Sequence, residues 1–138
     1  MIKKCNNVIN DKNIVVKENG REFRIKNSSN IEINRVKVDG CFIKSGNRCD
    51  YLFEVLSKSR VLYIELKGKD IQHALEQIDA TIKHCKDIHK NFIKECYIVA
   101  SRVPKETTKT QMLKRKFKSS LGTIPNISTN KKEIIIRG

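Results

Sequence analysis

A chain of 138 residues, 38% hydrophobic and 32% charged, is long enough to bury a core of its own and too apolar to be disordered throughout. Twenty-nine Lys and Arg against fifteen Asp and Glu leave a net charge of +14, which points to a polyanionic partner. No apolar run approaches a membrane span or a secretory h-region.

The five cysteines show no CxxC or Cys/His ligand spacing, so a zinc site is not expected and free thiols in a reducing cytoplasm are. Trp is absent, so the core must come mainly from Ile, Val and Leu.

The first dozen residues are polar and Asn-rich, and read as loosely held. Ile14 to Lys17 and Arg21 to Ile25 flank Asn19-Gly20, a pair that tolerates positive φ and so predicts a β-hairpin. Three strands follow in quick succession: Val36-Lys37-Val38 running through Asp39-Gly40 into Cys41-Phe42-Ile43, then Asp50 to Val55, then Val61 to Leu66, which ends at Gly68. Asp70 is placed to cap a helix running to His89, in which Ile71, Leu75, Ile78, Ile82 and Cys85 form one apolar stripe. Its three histidines (His73, His84, His89) fall on or near the polar side and read as solvated. Cys96 to Ala100 is a fourth strand closing at Pro104, and Thr107 to Ser120 is a basic helix ended by Gly122. Ile134-Ile135-Ile136 supplies a last strand. The expected fold is α/β: one domain over residues 1–138, a mixed β-sheet with flanking helices, preceded by the hairpin.

Glu65-Leu66-Lys67 is the chain's single (D/E)-x-K. Residues two apart on a strand share a face, so Glu65 and Lys67 point the same way. An even-numbered loop between the second and third strands puts Asp50 on that face too. Tyr51, Phe53 and Val55 then join Leu62, Ile64 and Leu66 on a wholly apolar opposite face. Two close carboxylates suit a hard cation that keeps its waters, and an ammonium beside them can stabilise charge on a phosphate. Together these are the groups that phosphodiester hydrolysis requires.

Asp50, then fifteen positions on Glu65-Leu66-Lys67, then a helix carrying Gln77, resembles the PD-(D/E)XK nuclease superfamily. The resemblance covers roughly residues 35–101 and implies a restriction-endonuclease-like fold. Asp50 and Glu65 would be ligands for Mg²⁺ or Mn²⁺, with Lys67 and Gln77 at the catalytic site. Cys49 stands where the family often has Pro. A hairpin replaces the helix that often carries a further acid, so a third carboxylate falls to Glu22, Glu32 or Asp39. The expected activity is a metal-dependent endonuclease, structure-selective or non-specific, acting on DNA rather than RNA. A homodimer, or a component of a larger defence or repair system, is the implied assembly. The alternative is an inactive nuclease-like module that binds nucleic acid or a partner.

The last stretch, Arg102 to Gly138, holds ten basic residues and two acidic ones, so it carries +8 of the total charge. Lys114, Arg115, Lys116 and Lys118 on the second helix are the expected phosphate-binding residues.

Overall fold

The computed structural model describes residues 1–66, 70–103 and 105–138. Lys67, Gly68 and Pro104, which figure in the expectations above, lie outside them. In chain order the strands are β1 (Asn6–Ile9), β2 (Asn13–Glu18), β3 (Arg21–Asn27), β4 (Ile33–Lys37), β5 (Tyr51–Val55) and β6 (Arg60–Leu66). Helix α1 (Ile71–His84), β7 (Ile93–Ala100), α2 (Thr108–Leu121), β8 (Asn126–Thr129) and β9 (Lys131–Ile136) complete it.

The strands form two sheets. The larger has the order β1-β4-β5-β6-β7-β8, antiparallel as far as β6 and parallel beyond it. The smaller has the order β2-β3-β9. The β2–β3 hairpin turns at Asn19 (φ 47°) and Gly20 (φ 80°), as the Asn-Gly pair predicts. Chain direction switches from one sheet to the other at Asn130, whose φ of 62° makes the bend. Its amide donates to Ala100 O (2.7 Å) and its carbonyl accepts from Glu22 N (2.9 Å), so one residue joins both sheets.

The period of two along β5 and β6 builds a core on each side of the larger sheet. Phe53, Leu62, Ile64 and Leu66 pack against Val16, Phe23 and Ile25 of the smaller sheet. Leu52, Val61 and Tyr63 pack against Leu75, Ile78 and Ile82 of α1 and Phe117 of α2. The apolar opposite face expected for Tyr51, Phe53, Val55, Leu62, Ile64 and Leu66 is thus the inter-sheet layer. Burying such layers stabilises the fold by about 25 cal/mol per Å² of apolar surface removed from water.

Several expectations need correction. The N-terminal segment is not loose: β1 pairs with β4 and Ile2 is buried. Cys41 to Ile43 forms a turn instead of a strand, closed by Val38 O accepting from Ile43 N at 3.0 Å. Helix α1 ends at His84, and residues 85–91 continue as turns. The four-residue β8 was not anticipated. The cysteines are not all free thiols: Cys5 and Cys41 form a disulfide across 36 residues, while Cys49, Cys85 and Cys96 are free and buried. Pairing of β1 with β4 carries Cys5 to the turn that follows β4, a proximity no cysteine spacing reveals. Among the described residues no helix is long and apolar enough to cross a membrane.

Candidate active site

The β5–β6 ladder pairs Tyr51 with Ile64, so Asp50, one residue earlier, falls opposite Glu65. The loop between the strands has four residues, Leu56 to Ser59, the even number that puts both acids on one face. Asp50 N donates to Ile64 O at 3.1 Å, and its Oδ2 accepts from Leu66 N at 2.7 Å. The side chain thereby takes the place of a ladder carbonyl where the strands part. Asp50 is 6% exposed and Glu65 is wholly buried.

Both acids lie beside Cys49. Burial pushes the Cys49 thiol well up; the Thr81 hydroxyl opposes this, and the charges of Glu65 and Asp50 add to it. Helix α1 fixes the segment before β5 through two bonds. The Thr81 hydroxyl accepts from Cys49 N at 2.8 Å, and Gln77 Nε2 donates to Arg48 O at 3.1 Å. Gln77 thus lies on the helix against the segment before β5 that carries Asp50. Its Oε1 is buried and has no hydrogen-bond partner among the described residues.

Of the three acids expected to supply a further carboxylate, Glu22 is engaged by Arg24 and Lys131 and Glu32 is exposed, whereas Asp39, paired with Arg48 at 2.8 Å, is near enough for its charge to act on Glu18. Glu18, at the end of β2, approaches Asp50. Its carboxyl is raised above the ordinary value by burial and by the Asp50 charge, against the pull of Lys37, and it shares a hydrogen bond with Asp50. The hairpin folds its tip over the start of β5, which is how a residue 32 positions earlier reaches the site. The one local signal was an acid beside the Asn-Gly turn.

Oxygen donors of this kind suit a hard cation. Asp50, Glu18 and Glu65 offer carboxylates and Gln77 a buried acceptor with no partner among the described residues, so the donor chemistry fits Mg²⁺ or Mn²⁺. Among the described residues, however, no three His, Cys, Asp or Glu side chains stand close enough to hold an ion unaided.

A scan of protein-family models, a search of curated proteins and a search of solved structures found nothing that matches this chain. The PD-(D/E)XK resemblance therefore rests on its motif residues alone.

The four basic residues expected to bind phosphate differ in their surroundings. Lys114 pairs with Glu106 on one side of α2, whereas Lys116 reaches Asp79 of α1 at 3.7 Å on the other. Arg115 and Lys118 are exposed. Consecutive helical residues turn by about 100°, so Lys116 is turned away from Lys114 and Lys118, which share a face. Lys105 and Lys114 border a cavity of about 360 Å³ that also touches Asp70 and Ile71 at the start of α1.

A second polar cluster lies deeper. His89, expected to be solvated, is wholly buried, with Nε2 2.6 Å from Glu54 Oε2 and Nδ1 2.6 Å from the Tyr63 hydroxyl. Asn34 Nδ2 (2.8 Å) and Ile2 N (2.9 Å) donate to the other Glu54 oxygen. Burial pushes the Tyr63 hydroxyl far up, so it stays protonated beside His89. The order Tyr–His–Glu resembles a nucleophile relay, but all three residues are 0% exposed and no substrate reaches them.

Proposed function

We propose that this chain is a metal-dependent nuclease of the PD-(D/E)XK kind, hydrolysing phosphodiester bonds in nucleic acid, with DNA favoured over RNA. The observation that carries the reading is the placing of Asp50 opposite Glu65 at the point where β5 and β6 part, with Glu18 hydrogen-bonded to Asp50. The order β5-β6-α1-β7, antiparallel then parallel, agrees with a restriction-endonuclease-like core. The smaller sheet is an addition to it.

Asp50 and Glu65, assisted by Glu18, would hold Mg²⁺ or Mn²⁺. When bound, such an ion polarises the phosphate and lowers the pKa of its water. The Leu66 amide fixes the Asp50 carboxylate, and α1 fixes the backbone before it through Thr81 and Gln77. Lys67 is assigned to the attacking water or the developing charge on its sequence spacing from Glu65 alone. A domain this small cannot enclose a duplex, which favours a homodimer or a place in a larger defence or repair assembly.

One observation favours a second reading, a nuclease-like module that binds nucleic acid without cutting it. Glu65 is wholly buried, and a metal ligand must share its ion with solvent and substrate.

The deciding experiment incubates the protein with single-stranded, duplex and branched DNA and RNA, with and without Mg²⁺ or Mn²⁺. Metal-dependent cleavage is expected. Lys67→Ala should slow it at least about a hundredfold, the scale of losing one electrostatic stabiliser. Binding should hold within about twofold, since one of many positive charges is gone. Asp50→Asn should abolish cleavage, with partial recovery in Mn²⁺. Binding without cleavage of any substrate, whatever the metal, would establish the second reading.

A further inference from the structure

A second group of basic residues, sharing only Lys116 with the set expected on the second helix, lines a groove beside α1. Lys83, Lys86, Lys90 and Lys94, from the end of α1, the turns after it and the start of β7, surround a groove with Lys116 of α2. Asp79 is the single acid lining it. The groove has a volume of about 410 Å³, and Ile82, Phe117 and Leu121 form its floor.

Five ammonium groups around one concavity repel one another unless an anion lies between them. Asp79 answers part of this, pairing with Lys83 at 2.9 Å and Lys116 at 3.7 Å. Lys94 is spent on the carbonyls of His89 and Phe92, at 2.8 and 3.1 Å. Lys86 and Lys90 are exposed and make no ion pair among the described residues. Their charge is available to a ligand.

We propose that this groove binds a single strand of nucleic acid, with its phosphates on Lys86, Lys90 and Lys116 and its bases over the apolar floor. A narrow cationic groove with an apolar base is the arrangement that holds single strands, whereas a duplex needs a broad surface. The groove lies at the opposite end of the sheet from the carboxylates. Lys94 pairs in register with Val61, four residues before Glu65, or about 13 Å along β6 at ~3.3 Å per residue. A strand held there is an anchoring arm remote from the cut. The proposal rests on the nucleic-acid half of the function given above and not on cleavage.

The test titrates the whole chain, wild type and Lys86→Glu/Lys90→Glu, with a short fluorescent single strand and a blunt duplex of the same sequence. Lys3→Glu/Lys12→Glu, exposed and outside the groove, is the control for net charge. The groove variant should bind the single strand at least about tenfold more weakly. Its salt slope should fall by about 1.4, roughly 0.7 for each phosphate that a lysine no longer neutralises. Its duplex affinity should move by less than about twofold, as should single-strand affinity in the control. An unchanged single-strand affinity, an equal loss in the control, an equal loss for duplex, or a wild type that binds no single strand overturns the proposal. So does an acidic amphipathic peptide that binds the groove while the variants leave the strand untouched. A wild type that binds but never cuts sinks the nuclease reading alone. A wild type that cuts, with groove variants that bind normally, sinks the groove alone.

Discussion

Glu54 illustrates how a buried acid can be made to stabilise a fold. Burial alone would raise its carboxyl, but bonds from His89, Asn34 and the Ile2 amide outweigh that and hold it below its ordinary value. A depressed carboxyl contributes stability above its unfolded pKa and loses that contribution as pH falls through the folded one. The protein should therefore lose stability on acidification below about pH 4.5, the region where a Glu in an unfolded chain titrates. Glu54→Gln should lower stability at pH 7 by about 3 kcal/mol, because it breaks a buried pair on one side. It should also flatten the acid limb. Denaturant unfolding from pH 3 to 7 checks both, and parallel acid limbs in variant and wild type would remove Glu54 from the explanation. His89 completes this network although, Ile88 apart, the residues from Lys86 to Asn91 around it are polar. Nothing local marks it, since it is buried by the turns after α1 and not by a helical stripe.

At the scale of elements, legibility followed the range of the interaction. β5 and β6 alternate cleanly, their loop length sets the register, and Asp50 and Glu65 could be paired from the sequence for that reason. The hairpin announced itself through Asn19-Gly20, and α1 through its stripe and the Asp70 cap, which accepts from His73 N at 2.9 Å. β1 and β8 were missed because four-residue segments containing Asn or Ser become strands only when a partner edge is present. Glu18 and the Cys5–Cys41 disulfide escaped for the same reason: each needs a neighbour more than thirty residues distant. That disulfide ties the segment before β1 to the turn after β4, on the loop whose Asp39–Arg48 pair leads to Asp50. Closing a loop of this length restricts the unfolded chain by about 4 kcal/mol on the chain-entropy account. Cys5→Ser/Cys41→Ser should lower the unfolding midpoint markedly, and reductant should bring the wild type down to the same value. A midpoint indifferent to both would show that the bridge contributes nothing to stability.

Across the whole molecule, the larger sheet separates two dry layers, and the free cysteines all belong to one of them. Cys49, Cys85 and Cys96 line the side that meets α1, where burial pushes the Cys85 and Cys96 thiols up to about 12 and Cys49 well up too. Only the thiolate reacts with alkylating reagents, so the folded chain is doubly silent: no access and almost no thiolate. The three thiols consequently act as a stopwatch for the opening of the helical layer. Alkylated at neutral pH, the native protein should take up label on all three in concert, at a rate set by how often α1 lifts from the sheet. Mass spectrometry distinguishes this from stepwise uptake. A fast single label on Cys85, at the C-terminal cap of α1, would show that the helix end opens without the rest.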